Sequence, residues 1–302
     1  MKGKRVVVAG LAVVCVAALA AAAFAGVEAA SYNASLDRVY DVPPPNITRS
    51  TDAAVLVRGR HVVDAIAGCS SSNCHGADLG GGQTVKMGPV GTFTGSNISM
   101  GGLGVAYSDG ELARLIRYGI KRDGRSVRFM PVQDFRWLSD DDVAAVVSYM
   151  RSAPAIDRPD GPTAFYTLGK VLDRREKFVI DVARRIDQGS FQQPPSPSPT
   201  AEYGRFLANG CTGCHGEHFA GGPIPGAPSS IPTPLDITPH ADGLAGWSYD
   251  DFDRALAAGI KPNGQKLNPF MPLEAYSKLD TTEKHALWAF LQTVPARPFG
   301  QR

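Results

Sequence analysis

The sequence has little net charge and few cysteines. Both features narrow the range of functions that fit the protein. Its 31 basic and 29 acidic residues leave a net charge of +2 over 302 residues. A chain without a basic excess gives no indication of nucleic-acid binding. There are only five cysteines. Cys15 lies in an apolar run after Val14 rather than after a small residue, so we do not expect a lipoprotein acceptor, and the other four cysteines form two short clusters.

The first 27 residues resemble an export segment. Three basic residues precede an uncharged run over residues 6–27. This order predicts an export signal whose positive end stays in the cytoplasm. Residues 23–25 offer a small-residue cleavage site, but the run is also about long enough to span a bilayer, so residues 1–27 are a signal peptide or an anchor in the inner membrane. Cleavage after Ala25 leaves fewer basic residues than the 29 acidic ones, so a strongly cationic docking surface is not expected. In both cases the remainder lies on the periplasmic side.

The second cysteine cluster, residues 209–216, reads Asn-Gly-Cys-Thr-Gly-Cys-His-Gly. Cys211, Cys214 and His215 have the Cys-x-x-Cys-His spacing of covalent c-type haem attachment. Two thiols on one turn reach the two vinyl groups of the porphyrin, and the histidine binds the iron as first axial ligand. A thioredoxin-like redox pair would need a βαβ pattern after Cys214, which is missing, and a zinc site would have to recruit the other cluster. A disulfide would leave His215 unexplained.

The first cluster resembles the second but has four residues between its cysteines, Cys69 and Cys74, before His75 and Gly76. Three interpretations stay open. Both cysteines hold a haem across a bulged loop; or Cys74 alone holds it, because Ser71 occupies the position of the first cysteine in the usual spacing; or the repeat is degenerate and carries no haem. The intact Cys-His-Gly favours the first interpretation.

The sequence after each cluster is duplicated. Residues 114–121 match residues 254–261, and a Phe-Met-Pro triplet follows each segment. The two cluster histidines lie 140 residues apart, and the methionines of the triplets lie 141 apart. A repeat of this kind predicts two copies of one domain, over residues 51–154 and 200–295.

Met130 and Met271, in the two triplets, are the predicted sixth iron ligands, and a thioether there raises the reduction potential. Met100 is the leading substitute in the first copy. The remaining methionine and histidine candidates have no counterpart in the other copy and are expected at the surface or in packing: Met87, His61, His218, His240 and His285.

Each copy is predicted to begin and end with a helix. Ser50, Thr51 or Asp52 can cap the first helix. The closing helices are predicted from apolar residues at i, i+3, i+4 and i+7, with Ser139 and Asp280 as caps: Val143, Val146, Val147 and Met150 in the first copy, and Leu287, Phe290, Leu291 and Val294 in the second. Gly59 and Gly204 mark positions for a close helix crossing.

The remaining segments connect these copies. Residues 28–50 contain three consecutive prolines and predict an extended tether. In the inter-domain segment, residues 155–199, a helix over 165–186 is predicted to carry its basic residues on a solvated face: Lys170, Arg174, Arg175, Lys177, Arg184 and Arg185. Residues 190–200 are a Pro/Ser linker, and residues 296–302 are a tail.

These motifs resemble a bacterial diheme cytochrome c with two class I cytochrome c domains, over residues 51–295. The chain is also similar to the cytochrome c subunits that accompany membrane-bound alcohol and gluconate dehydrogenases, although the alcohol dehydrogenase subunit carries three haems and this chain has two attachment clusters. The resemblance implies a mainly α fold of two tandem domains, each folded around one covalently attached haem c. It also implies a backbone carbonyl on the histidine's other ring nitrogen, with Pro89 and Pro228 as candidates, and either propionate contacts or solvent exposure for Lys121 and Lys261.

Electron transfer without a bound substrate is the expected function, since two irons saturated by His and Met leave no open position. The expected partners are redox proteins: a dehydrogenase or quinol-linked donor, a cytochrome complex or a terminal oxidase. A diheme peroxidase or a thiosulfate-oxidising cytochrome is the alternative, but the first needs an open iron and the second a spare cysteine ligand. A redox subunit of a larger dehydrogenase complex is a third possibility with the same chemistry.

Overall fold

The computed structural model describes residues 2–189, 193–225, 227 and 231–302. The chain is 44% helix and 5% strand, which confirms the predicted mainly α fold. Part of the predicted Pro/Ser linker, residues 190–192, lies outside the described residues, and so does Pro228.

The first helix, α1 (Lys2–Leu36), is 35 residues long and contains one stretch that is long and apolar enough to cross a membrane. It continues past residue 27 to Leu36, so the prediction of an extended tether from residue 28 is wrong for the beginning of that segment. Good helix formers continue the pattern there, and Tyr32 and Leu36 pack against Phe165 and Ile180. The extended part of the tether begins after Asp37.

The first half of the remaining chain is built on two crossing helices, α2 (Ala53–His61) and α6 (Asp140–Ser152). Asp52 caps α2 by accepting from the Ala54 amide at 2.8 Å, and Ser139 caps α6, both as predicted. A π-helical turn, Val62–Ile66, continues α2. Between them lie β1 (Thr84–Lys86), β2 (Gly91–Thr94), α3 (Leu103–Ala106), α4 (Asp109–Tyr118) and α5 (Val132–Phe135).

The segment between the halves is less helical than predicted. It contains β3 (Ala164–Phe165), α7 (Thr167–Arg174) and a 3-10 turn, Ala183–Arg185. Strand β3 pairs antiparallel with β2, which also pairs antiparallel with β1. The chain leaves the helix after Arg174, and Glu176 has a left-handed φ of 58°. Arg184 and Arg185 form ion pairs with the buried Asp173, so they do not lie on the predicted solvated face.

The second half repeats the first with α8 (Ala201–Leu207), α9 (Asn209–His215), α10 (Tyr249–Ala258), α11 (Leu273–Tyr276) and α12 (Thr281–Leu291). Asp280 caps α12 as predicted. The two predicted glycine crossings are present: a Cβ on Gly59 would overlap the Ala145 carbonyl in α6, and one on Gly204 would overlap the Ala286 carbonyl in α12. Only glycine lets these helix backbones approach so closely.

One hydrophobic core runs through both halves. The four residues of the predicted stripe on α6 are buried in it, as are Leu287 and Leu291 of α12. The rings of Trp137 and Phe206, one from each half, lie 6.4 Å apart within it. The halves therefore share apolar packing and do not touch at a polar surface alone.

Candidate haem-binding sites

The two cluster histidines have matching environments. The Nδ1 of His75 lies 2.8 Å from the carbonyl oxygen of Ser96, and the Nδ1 of His215 lies 2.7 Å from that of Leu235. A carbonyl can only accept, so Nδ1 carries the proton and Nε2 keeps its lone pair for a metal. Burial lowers the pKa of both imidazoles, which keeps them neutral at pH 7.

The partners of these histidines correct the sequence prediction. Ser96, and not Pro89, supplies the carbonyl at His75, and Leu235 supplies it at His215. The two carbonyls lie 21 and 20 residues after their histidines. This repeated spacing is the signal in the sequence that could have identified them.

The second cluster is a helical turn. Cys211 and Cys214 lie on α9 at i and i+3, which puts both thiols on one side of the turn. His215 ends the helix, and Gly216 follows with a φ of 84°, a left-handed value that favours glycine. Gly76 repeats this conformation after His75, with a φ of 74°.

The first cluster reaches the same end point by a loop. The His75 amide donates to the Cys69 carbonyl at 3.0 Å, and the Cys74 amide donates to the Ser71 carbonyl at 2.9 Å. In an α-helix the amide of His215 would donate to the residue four positions earlier, which is Cys211. His75 and Cys69 are therefore hydrogen-bonded in the way that His215 and Cys211 would be in an α-helix. The two additional residues of the first cluster form a loop between them.

The four cluster cysteines form no disulfide bond. Burial raises the pKa of Cys69 and of Cys211 to about 12, and it also raises the pKa of Cys74 and Cys214. Reactive pairs in disulfide oxidoreductases have lowered thiol pKa values instead. The environment of these cysteines therefore does not favour a reactive redox pair.

The donor set fits haem c at both clusters. Each cluster combines two thiols with a histidine whose Nε2 has no hydrogen-bond partner within the described part of the chain. Met130 and Met271 are partly buried and pack against the same core as Cys69 and Cys211. Met100 is less suited to the iron, because its sulfur accepts from the Arg151 guanidinium at 3.3 Å.

The other candidates from the sequence are engaged elsewhere. Met87 packs with Tyr32 and Phe165, His61 contacts Glu283, His240 contacts Asp242, His285 stacks on the ring of Tyr249 at 3.8 Å, and His218 is exposed. Lys121 and Lys261 bind within their own loops, to Asp123 at 3.5 Å and to Gln265 at 2.8 Å.

Each attachment cluster meets an acidic residue from the other half, which sequence reasoning missed. Glu274 accepts from the amide of Ser72 at 3.0 Å and from its hydroxyl at 2.9 Å. In the other direction, a Cβ on Gly213 would lie 3.6 Å from the Asp134 carboxylate. Burial raises the pKa of Asp134 to about 7. No spacing in the sequence brings these residues together, because they belong to different copies.

A charged cluster also joins the halves near the two helix crossings, and no pattern in the sequence indicates it. Glu283 of α12 is almost completely buried and accepts from His61 Nε2 at 2.8 Å. The guanidinium of Arg58 lies 3.4 Å from the same carboxylate and 2.7 Å from Asp142. The hydrogen bond that His61 donates to Glu283 raises the pKa of His61. We call Arg58, His61, Asp142 and Glu283 the inter-half ion cluster.

Comparisons with known proteins find dehydrogenase subunits and a diheme cytochrome c. No protein-family model matches the chain. The chain is 27% identical to a nicotinate dehydrogenase subunit of Pseudomonas putida, over 85% of the chain and 23% of that protein. It is 35% identical to the gluconate 2-dehydrogenase cytochrome c subunit of Pantoea cypripedii, over 29% of the chain and 21% of the relative. It is 30% identical to a diheme cytochrome c-type protein of Cereibacter sphaeroides, over 32% of the chain and 40% of the relative.

The chain spans less than half of the length of each of these relatives. Their descriptions imply haem c as the cofactor. Together with the duplicated clusters, they confirm the expected resemblance: the homologues of this chain are cytochrome c subunits of dehydrogenases and a diheme cytochrome c.

Proposed function

We propose that the protein is a diheme c-type cytochrome that passes single electrons between a dehydrogenase or quinol-linked donor and a respiratory acceptor on the periplasmic side of the inner membrane. The observation that carries this proposal is the duplicated donor set. In each half, two cysteines precede a neutral histidine whose Nδ1 donates a hydrogen bond to a backbone carbonyl. When bound, haem c supplies a centre that accepts and releases one electron.

The residues of the second half have distinct roles in this proposal. Cys211 and Cys214 would hold haem c through thioether bonds, and His215 would bind its iron through Nε2. The Leu235 carbonyl fixes the orientation of the imidazole and increases its basicity. Met271 would be the second protein ligand of the iron. An iron held by two protein ligands would leave no position for a substrate, which favours electron transfer over peroxidase chemistry.

In the first half, Cys69, Cys74, His75 and Met130 take the same roles. The hydrogen bond from the His75 amide to Cys69 supports attachment through both cysteines, because it brings the first cysteine back beside the histidine despite the longer spacing. Attachment through Cys74 alone would leave the partly buried Cys69 thiol without a chemical role.

We also propose that α1 is retained as a membrane anchor. The uncharged run over residues 6–27 would be about 33 Å long as a helix, close to the ~30 Å hydrocarbon thickness of a bilayer. Beyond it, Glu28 pairs with Arg175 at 2.8 Å, and the Arg175 guanidinium lies 4.8 Å from the ring centre of Phe24. Tyr32 is buried against the first half. Cleavage after Ala25 would remove Phe24 and break the contact that it makes with the folded domain.

The proposed donor follows from the relatives. Proteins named as nicotinate and gluconate dehydrogenase subunits are similar to this chain, so we propose that a dehydrogenase supplies its electrons. The chain covers only a minor part of those proteins, and the substrate of the partner is not carried over.

Mass spectrometry of the holoprotein, combined with a pyridine haemochrome spectrum, tests this proposal. We expect a mass increased by two porphyrins, an intact N-terminal segment and a spectrum of two thioethers per haem. A mass increased by one porphyrin would refute the assignment at Cys69 and Cys74. Rapid binding of carbon monoxide to both reduced haems would contradict ligation by Met130 and Met271.

A further inference from the structure

The two Phe-Met-Pro triplets have the same sequence but different surroundings. Phe129 lies in an aromatic cluster, with ring centres 5.0 Å from Phe93 and 5.1 Å from Phe178. Phe270, its counterpart in the second half, is 50% exposed. A large aromatic side chain this exposed beside a predicted iron ligand is a feature that the repeat alone does not explain.

In the first half, residues 178–183 cover this loop by strand-like pairing. The Phe129 amide donates to the Ile180 carbonyl at 2.9 Å, and the Ala183 amide donates to the Ser126 hydroxyl at 2.9 Å. Arg128 and Asp181 form an antiparallel bridge. The covering segment reads Phe-Val-Ile-Asp-Val-Ala, an extended apolar stretch with one acidic residue.

The same loop in the second half has no such cover among the described residues. Residues 262–270 are exposed except for Leu267, which is partly buried. The hydrogen bonds of this loop go to its own residues or to the end of α10: the Phe270 amide donates to the Asn268 side chain at 2.9 Å, and the Leu267 amide donates to the Gly259 carbonyl at 2.7 Å. The carbonyls of Leu267 and Pro269 accept no hydrogen bond from the described residues. These carbonyls are therefore available to the amides of an added strand.

The charge of this edge indicates what it accepts. Between Gly259 and Pro272 the charged residues are Lys261 and Lys266, both basic. In the first half, the covering segment carries a single charge, the acidic Asp181. A partner segment that resembles residues 178–183 would place an apolar side chain on Phe270 and a carboxylate near Lys261 and Lys266.

We propose that residues 262–270 form a docking edge for a partner protein of the redox chain, which adds an extended apolar segment bearing an acidic residue. Addition of a strand to a free edge is a recurrent mode of peptide recognition, in which backbone hydrogen bonds supply affinity and side chains supply specificity. Because Phe270 precedes Met271, this edge would bring the partner to the second haem. The inference rests on the proposed electron-transfer function and adds the surface through which electrons enter or leave.

Photo-crosslinking of the full-length holoprotein in native membranes tests the docking edge. The photoreactive residue p-benzoylphenylalanine replaces Phe270 in one variant and Phe299, which is 48% exposed, in a matched control. We expect an adduct with one other protein at position 270 and not at position 299, with an extended apolar and acidic peptide at the linked site. No adduct, equal adducts at both positions, or adducts only with lipid or with a second copy of this chain would overturn the proposal.

A rate measurement separates this inference from the proposed function. Phe270→Asp should lower the rate of electron exchange with the crosslinked partner by about tenfold or more relative to ferricyanide on the same sample, since aromatic anchors dominate protein interfaces. Phe299→Asp should leave that ratio unchanged. If the wild type exchanges electrons with ferricyanide but the variant labelled at position 270 shows no adduct, only the docking edge is refuted. If the haems of the wild type are not reversibly reduced at all, the proposed function fails.

Discussion

Replacement of Glu283 by glutamine should loosen the contact between the two halves. The buried carboxylate accepts from His61 through both oxygens, at 2.8 and 2.9 Å, and lies 3.4 Å from Arg58. It also accepts from the Asp280 amide at 3.0 Å within the capping box of α12. Glutamine keeps the shape and one oxygen that can cap the helix, so Glu283→Gln removes the negative charge of the inter-half ion cluster and replaces the oxygen that accepts from His61 and Arg58 with an NH2 donor.

The expected cost is about 2 kcal/mol of unfolding free energy. A hydrogen bond to a charged group contributes roughly 1.5–3 kcal/mol, and breaking a fully buried pair costs about 3–5 kcal/mol. The side chains of His61 and Arg58 are 24% and 26% exposed, so water recovers part of that energy. For a chain of 302 residues the loss corresponds to a fall in Tm of about 3 °C, measurable by calorimetry of the detergent-solubilised holoprotein.

The pH dependence of this effect has a definite sign. Glu283 raises the pKa of His61 through its hydrogen bond, while Arg58 opposes the shift and Asp280 supports it. A raised pKa means that the stabilisation is complete below the unfolded pKa of about 6.5 and is lost as pH rises through the folded value. The difference in stability between wild type and Glu283→Gln should therefore be largest in mild acid and smaller in mild alkali, where the Arg58 contact remains.

Glu202→Gln is the matched control, because Glu202 is an exposed carboxylate at the start of α8. We expect it to leave both the Tm and its pH dependence unchanged. A stability difference for Glu283→Gln that stays constant across the titration of His61 would refute the coupling. Equal stability of Glu283→Gln and wild type at every pH would show that the cluster does not join the halves.

Four further substitutions test the fold and the sites. Gly204→Ala places a methyl group where it overlaps the Ala286 carbonyl. It should lower the unfolding free energy, measured by denaturant titration, by about 1–3 kcal/mol or more. A smaller change would mean that the two helices separate easily. Met130→Ala and Met271→Ala should each open one iron to carbon monoxide, and unaltered spectra in both variants would exclude methionine ligation. Cys69→Ala should retain two covalent haems while its haemochrome spectrum shifts toward that of a single thioether; an unshifted spectrum would mean that Cys69 is not bonded.

Several features were predictable because they are local or repeated. Asp52, Ser139 and Asp280 cap the helices where the pattern of polar and apolar residues indicated. The glycine crossings at Gly59 and Gly204 were predictable for a related reason, since the same residue stands at the same position of both copies. Such signals need only a few neighbouring residues or a comparison of the copies.

The remaining features depend on contacts between distant parts of the chain. The helix predicted over residues 165–186 is interrupted because Asp173 forms ion pairs with Arg184 and Arg185. Asp173 also accepts a hydrogen bond from the Ile180 amide at 2.8 Å. The ion pair of His61 with Glu283 joins residues 222 positions apart, and the hydrogen bond from Ser72 to Glu274 joins residues 202 positions apart. Periodicity reports which face of an element is apolar, but it does not report which element will cover that face.

The apolar core shared by both halves has a consequence for cofactor binding. Cys69 and Cys211 are partly buried and pack against this core. If they hold haem c as proposed, each cofactor would complete packing that both halves share. A chain that receives only one haem should therefore lose stability in both halves, and not only in the half that lacks the cofactor.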